Sequence, residues 1–388
     1  MRRSIPIVTW VTVLGLALAW VLLGALVAPG ARKHDFLNLY TGASLAGERN
    51  FSDMYNYDVQ LARERSLVPE LPSLVPFVRP HFYAVLLAPL ARIPFRAAFW
   101  CWLALHTSLL LFCWRWALGR FGPDALIFAA LYLPAALGIA SGQDCVLMLA
   151  IAIGAYTLAE DDRYFWSGAL LGLGLLKFHL LVLFPLAMLL GRRWKMLAGF
   201  SLAGAALGSF SLLVSGWRGG ESYIGLLRRK DLERLAPSPE KMVDIYALPA
   251  NLGIQSPWLS AALAALVVLL AVIALWRAPL WRWFSTAWTG SLLAAPHVYG
   301  YDATVLLLPV WLVIFCSTRP ATRLAATAAA VPLFFFMSLA QSPWSAAPAL
   351  VLLTLLVTLA VESAVPVPQP VAAEPAEAKA KAAAAAAG

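Results

Sequence analysis

The sequence predicts an all-α polytopic membrane protein, and three observations carry that prediction. Of the 388 residues, 61% are hydrophobic and only 13% are charged, where soluble domains carry about 25% charged residues. The apolar residues form continuous runs that suit helical spans of about 20 residues, not the weak alternation of a membrane barrel. The short turns between runs are basic, as in Arg92 with Arg96 and Arg192-Arg193-Trp194-Lys195, which places those turns on the inner side.

Taken in order, Arg2 and Arg3 precede an apolar run over residues 5–28, too long for a signal-peptide core, so it reads as a retained first helix with its start inside. A long polar stretch follows, over about residues 29–80, and it falls outside. Phe36, Tyr40, Ala43 and Gly47 recur in it at helical spacing, which suits a helix lying at the interface. Gln60, Arg63 and Glu64 mark a polar helix that prolines 69, 72 and 76 end. The next spans are a short one over 82–93, then 97–114, 126–140 and 146–158. Residues 165–190 hold Lys177 near their middle and form one tilted span or two half-helices. After a span at 197–214 comes a second outer loop, about 215–255. Spans at 258–276, 284–295, 303–315, 324–339 and 347–361 complete the chain, with Arg277, Arg282, Arg319 and Arg323 at inner turns. The expectation is about twelve helices with both termini cytoplasmic. Residues 1–361 form one transmembrane catalytic domain, and 362–388 a disordered Pro/Ala-rich tail.

The net charge of +9 arises from basic residues scattered through membrane-flanking loops. Lipid phosphates and anionic headgroups are the partners this implies, not nucleic acid. Cys101, Cys113, Cys145 and Cys316 have no paired spacing and read as packing residues. No acidic cluster has metal-ligand spacing and no glycine-rich nucleotide loop is present. Neither a metal nor a cofactor is expected.

Ionisable groups within or beside apolar runs are costly and therefore functional suspects. Asp35 with His34 lies just past the first span, at the water–lipid boundary. Alone, Asp35 reads as a solvated helix cap; the rest of the chain reverses that. Arg79 and His81 flank Pro80, and Lys177 and His179 sit mid-span. His297 follows Pro296 beside Tyr299, Tyr301 and Asp302. Each has a bland alternative. Arg79 could snorkel to the interface, His179 and His106 could be hydrogen-bonded packing groups, Asp302 could cap a helix, and Gly142-Gln143-Asp144 alone reads as a turn. Asp53 and Asp58 read as solvated loop carboxylates.

An isolated carboxylate with Arg, Lys and His from other helices meets the needs of glycosyl transfer from a lipid phosphate. A base takes the acceptor hydroxyl proton, and fixed cations and donors hold the phosphate as negative charge builds on it. The carboxylate is Asp35, and the phosphate ligands are Arg79, Lys177 and His297. His34, Tyr40, His81, Gln143, Asp144, His179, Tyr301 and Asp302 are further candidates for substrate contact. A transporter or flippase of lipid-linked or anionic solutes is the competing class. It would show matched repeats with paired broken helices, which this sequence lacks.

Several motifs, in order, resemble glycosyltransferase family 87 of the GT-C superfamily, which includes polyprenyl-phosphate-mannose-dependent mannosyltransferases. They are His34-Asp35-Phe36 with Tyr40, Arg79-Pro80-His81-Phe82-Tyr83-Ala84 with Ala88-Pro89-Leu90, and Ser141-Gly142-Gln143-Asp144. Lys177-Phe178-His179-Leu180 with Arg192-Arg193-Trp194, and Pro296-His297 with Tyr301-Asp302, continue the set over about residues 30–310. The resemblance implies a GT-C fold with its active site at the outer membrane face and Asp35 as the catalytic aspartate of the first outer loop. It also implies a polyprenyl-phosphate-sugar donor, with mannose or an arabinose-like sugar as the group carried, and inversion at the anomeric carbon. The family pattern carries Pro where His81 stands and often Asn or Gly near Asp144-Cys145, so the donor pocket differs in fit. The acceptor, a lipid or glycan, is not inherited from the resemblance.

Overall fold

The computed structural model describes residues 35–228 and 242–364. The expected first helix, His34 and the tail from 365 onward lie outside the described residues. Those described are helical, with one isolated bridge between Met242 and Tyr299 and no strand.

The stretch expected to be the first outer loop opens with helix α1 (Asp35–Gly47), whose Phe36, Leu39, Tyr40 and Ala43 are buried. It packs on α3 (His81–Leu87) and on the 3-10 turn Ala88–Arg92. Between them, α2 (Tyr57–Leu67) is the expected polar helix, but two of its polar side chains point inward. Gln60 donates to the carbonyls of Met54 and Phe77 at 2.7 and 3.2 Å and accepts from the Phe77 N–H at 2.8 Å. Glu64 accepts from the Val75 N–H at 3.0 Å. These bonds satisfy backbone groups of a segment that has no ladder of its own, and they fix the extended run that ends at Arg79.

Among the described residues, five helical stretches are long and apolar enough to cross a membrane. They are α4 (Phe95–Phe121), the stretch Tyr164–Leu181, a long helix Trp194–Arg228, a helix at Pro257–Leu275, and Trp344–Ala364. Cys145–Glu160 and Gly300–Cys316 are shorter apolar helices. Other expected spans are broken, and prolines explain two of the breaks. Residues 126–140 divide into α5 (Asp124–Leu131) and α6 (Leu133–Ala140) at an extended Tyr132, because Pro134 lacks the N–H that a continuous helix needs. Residues 324–339 divide at Val331, before Pro332.

Helix α7 (Cys145–Glu160) follows, and then α8 (Tyr164–Leu173), whose continuation is 3-10 over Gly174–Leu181 with non-helical angles at Lys177 (φ −123°, ψ 58°). The stretch is therefore broken at Lys177, and α9 (Phe184–Leu190) resumes it. The long helix α10 (Trp194–Arg228) has an internal break at Gly216 and continues past the point where the second outer loop was expected to begin. It lies close on α8: a Cβ on Gly168 would fall 1.8 Å from the Met196 carbonyl oxygen, so only glycine permits this approach. Its other faces carry exposed Leu202, Phe210, Leu213 and Trp217, as a lipid-facing helix would.

The core lies around α12 (Leu280–Ala294), which follows α11 (Pro257–Leu275), and α13 (Leu307–Cys316), which follows a 3-10 turn at Gly300–Leu306. Trp283, Trp288 and Trp311 are fully buried there. Two of their indole N–H groups donate to carbonyls, Trp283 to Ala187 at 3.1 Å and Trp311 to Ala125 at 2.9 Å, which offsets the cost of burying a donor. The described end of the stretch expected to be the second outer loop is strapped to this core. Val243 N–H donates to the Val298 carbonyl at 2.9 Å, and the buried Asp244 carboxylate accepts from the N–H groups of Val298 and Ala247 at 3.0 and 2.9 Å. That strap holds the segment carrying His297 and Tyr299. Helices α14 (Pro320–Ala330), α15 (Pro332–Phe336) and α16 (Ala347–Ala364) close the chain, with the Glu362 carboxylate accepting from the Ser317 hydroxyl at 2.8 Å.

Candidate active site

Five separate segments bring polar groups to one place. They are the first residue of α1, the run before α3, the turn into α7, the break after α8 and the 3-10 turn before α13. At the centre is Lys177, which the break in its helix leaves 1% exposed. Its Nζ lies 2.6 Å from Asp302 Oδ1 and 2.8 Å from Asp144 Oδ1. Gln143 Oε1 at 3.3 Å and Cys145 Sγ at 3.2 Å complete its surroundings. Arg79 Nη2 approaches the same Asp144 oxygen at 3.3 Å. Two cations and two anions thus form a buried, formally neutral cluster. Removing one member of such a set is expensive, because an uncompensated buried charge is left behind.

Local geometry serves this cluster. Asp144 occupies the N-cap position of α7, yet its side chain makes no capping bond; the cations take it instead. Asp302 does both jobs, since one oxygen meets Lys177 while the other accepts from the Tyr299 N–H at 3.1 Å. The cap and the ion pair are therefore compatible readings of one carboxylate. Gly142 makes the approach of α1 possible. Its φ is +71°, and a Cβ there would lie 2.7 Å from that of Phe36, so a larger residue would push the start of α1 off the turn.

Asp35 stands apart from the neutral cluster while touching it. Its carboxylate is hydrogen-bonded to the Gln143 side chain and lies in the field of Lys177, Asp302 and Arg79. Burial is the largest influence and pushes its pKa up to about 6, against the lowering effects of Gln143 and the cations. Gln143 is the link. Its oxygen accepts from Lys177, with the Arg79 guanidinium at 3.5 Å, while its NH2 serves Asp35 and the Tyr301 hydroxyl at 3.4 Å. An amide is suited to this place, since it accepts from cations at one end and donates to a carboxylate at the other.

The histidines differ. His297 is exposed, its ring 4.8 Å from that of Tyr299, which is 5.2 Å from Tyr301. It senses Asp302 and Arg79, and desolvation holds its pKa below the ordinary value, so near neutral pH it is an uncharged donor of one N–H. His179 is half-buried at the same corner, within the fields of Asp302, Arg79, Lys177 and His297. His81 is not brought to the cluster. It is buried in an aromatic box of Phe51, Tyr55 and Tyr223, with ring separations of 5.9, 5.0 and 6.0 Å. Tyr40 is also elsewhere, its hydroxyl donating to the Ile93 carbonyl at 2.9 Å. His106 is a packing residue bonded to the Trp102 carbonyl at 3.0 Å.

Gln143 and Asp144, which alone read as a turn but were also candidates for substrate contact, join Asp35 to both cations. Two features were not legible as site features in the sequence. Cys145 read as packing, yet it touches Lys177 and lies 3.6 Å from Asp302. The buried Tyr83 hydroxyl lies beside Asp144. One signal was available: a lysine in the middle of an apolar stretch needs a counter-charge, and few carboxylates flank apolar runs in this chain. Among the described residues, no group of three or more His, Cys, Asp or Glu side chains is arranged to hold a metal ion.

The sequence profile of glycosyltransferase family 87 matches residues 77–299, more than half of the 388 residues. The chain belongs to glycosyltransferase family 87. No curated protein and no solved structure matches it. The matched region contains Arg79, Gln143, Asp144, Lys177 and His297; Asp35 precedes it, and Tyr301 and Asp302 follow it. The protein is thus a membrane glycosyltransferase, which acts on a sugar donor and an acceptor.

Proposed function

We propose that this family 87 enzyme has the GT-C fold with about twelve spans and transfers a hexose, mannose, from a polyprenyl-phosphate-sugar donor to a lipid or glycan acceptor. The reaction takes place at the outer face of the inner membrane, with both termini cytoplasmic, and the anomeric carbon is inverted. The Asp35 carboxylate takes the proton of the acceptor hydroxyl as that oxygen attacks the anomeric carbon. The bond from that carbon to the phosphate oxygen breaks, and polyprenyl phosphate leaves with the electron pair.

Arg79 and Lys177 share the phosphate task unequally. The Arg79 side chain is 13% exposed against 1% for Lys177, so Arg79 is the cation that meets the phosphate directly. Lys177, already held by two carboxylates, stabilises the charge from behind. His297 donates its N–H to the leaving phosphate, with His179 and Tyr301 at the same corner. The single observation that carries this reading is the position of Asp35. It is a carboxylate with an amide partner at the edge of a charge-balanced cationic cluster, with a pKa near 6 that suits a general base. The test is transfer of radiolabelled mannose from polyprenyl-phosphate mannose to total membrane lipid by the purified protein. Labelled product is expected. Failure with this donor, together with transfer from a nucleotide sugar, would overturn the donor class.

A further inference from the structure

A second polar site lies on the outer stretch, away from the Lys177 cluster. An open surface pocket of about 390 Å³ is lined by Ser52, Asp53, Asn56, Tyr57, Asp58 and Ser222, four of which are exposed. Its walls come from two elements. Asn56 is the N-cap of α2, where its side-chain oxygen accepts from the Asp58 N–H at 3.0 Å; Ser222 lies on α10 beyond the break at Gly216. The helix start fixes Asn56, Tyr57 and Asp58 relative to one another. Ser222 is fixed through its neighbour Tyr223, whose ring is 5.2 Å from that of Tyr55 and 6.0 Å from that of His81. Tyr55 in turn donates to the backbone carbonyl of Arg79 at 2.8 Å. One aromatic layer therefore joins the wall of this cavity to the cationic cluster.

The lining excludes several ligand classes. Among the described residues the lining has two carboxylates and no cation, which disfavours a phosphate or any other anion. Hydroxyls, an amide and carboxylates disfavour an apolar chain. The volume is that of an organic ligand site, which runs from about 300 Å³ upward, and the carbonyl of Asn56 is already engaged by Asp58, so a small divalent ion fits poorly. What remains is a neutral, hydroxyl-rich molecule. Carboxylates accept charge-assisted bonds from hydroxyls, Ser52, Ser222 and the Asn56 NH2 add donors, and Tyr57 adds a ring face for the C–H side of a pyranose.

We propose that this cavity is a neutral-glycan subsite, holding the part of an acceptor saccharide that lies away from the reacting hydroxyl. The assignment of the occupant as acceptor rests on the transferase reading above; the saccharide-binding claim is read independently of transfer. The two sites then select opposite chemistries, an anionic donor at Arg79 and an uncharged sugar at Asp53 and Asp58.

The test is saturation-transfer NMR on the full chain in lipid nanodiscs free of maltoside detergent, with methyl α-mannopyranoside and methyl α-glucopyranoside as probes. A saturation-transfer signal is expected from at least one probe. It should weaken about tenfold or more in Asp53→Asn/Asp58→Asn, as loss of a charge-assisted hydrogen bond predicts, and also in Tyr57→Ala, while Asp35→Asn retains it. Thermal melting of each variant separates a binding defect from misfolding. No signal from either probe, or a signal unchanged in both cavity variants, overturns the proposal. A melting shift with calcium chloride that the Asp53→Asn/Asp58→Asn variant abolishes would assign the cavity to a cation and also overturn it. Loss of glycoside binding with transfer intact would leave the transferase reading standing. Glycoside binding without transfer from any polyprenyl-phosphate donor would sink that reading and keep the subsite.

Discussion

Asp35 and the pair Asp144 and Asp302 are the same residue type in one neighbourhood, and their surroundings set them apart. Lys177 lies 2.8 Å from Asp144 and 2.6 Å from Asp302, and Arg79 adds a second cation to Asp144. A carboxylate held this way gives up its proton affinity to its cations. Asp35 is hydrogen-bonded to a neutral amide instead, and burial raises its pKa to about 6. The clasped pair organises five chain segments around a lysine, and the unclasped one is left able to accept a proton. Structural and chemical duties thus fall on different carboxylates only a residue or two of packing apart.

Breaking the clasp should have the largest effect. Lys177→Met leaves Asp144 and Asp302 buried without their shared ammonium, and a loss of about 3–5 kcal/mol of stability is expected, read as a lower melting temperature of the purified protein. Adding Asp302→Asn in the same chain should restore part of it, since one of the orphaned charges is removed. Melting of Lys177→Met at the wild-type temperature would show that the cluster does not hold the fold. His297→Ala tests the exposed rim of the same corner. Turnover should fall by about tenfold to a hundredfold, the scale of a lost donor to developing charge, with melting nearly unchanged. A lower melting temperature with full turnover in the folded fraction would make His297 a structural cap. The smallest effect sharpens the comparison from the other side. Gln143→Leu removes the hydrogen bond that lowers the Asp35 pKa, so the acid limb of the pH–rate profile should move to higher pH. A limb that moves to lower pH, or stays in place, would contradict the link.

The chain signalled its chemistry mainly through cost. Asp35, Arg79, Lys177 and His297 stand out because ionisable groups at apolar runs are expensive, and the structure gathers all four in one neighbourhood. Their partners are hidden because pairing is a property of the fold. Lys177 and Asp302 are 125 residues apart, and Lys177 and Gln143 are 34 apart. Proximity in sequence misleads in the other direction. His81 is two residues from Arg79, but it begins α3 and turns into the Tyr55 and Tyr223 box, while Arg79 ends an extended run that aims at Asp144. Tyr40, five residues from Asp35, faces the Ile93 carbonyl. Helix counting has a similar limit. Hydropathy registers that residues 126–140 are apolar, but the break at Tyr132 depends on where Pro134 falls in the turn.

Asp35 is proposed as the carboxylate that takes the acceptor proton. The direct measurement is mannose transfer from polyprenyl-phosphate mannose across about pH 5 to 8, for the wild type and for Asp35→Asn. A base works only in its ionised form, so wild-type turnover should rise with pH and level off above the pKa of about 6. The amide keeps the shape of the side chain and cannot accept the proton, so Asp35→Asn should lose about a hundredfold or more on the plateau above the pKa, and less at about pH 5, where most of the wild-type carboxyl is protonated, while melting as the wild type does. Near-normal turnover by Asp35→Asn, or a wild-type profile that is flat through pH 6, would contradict it.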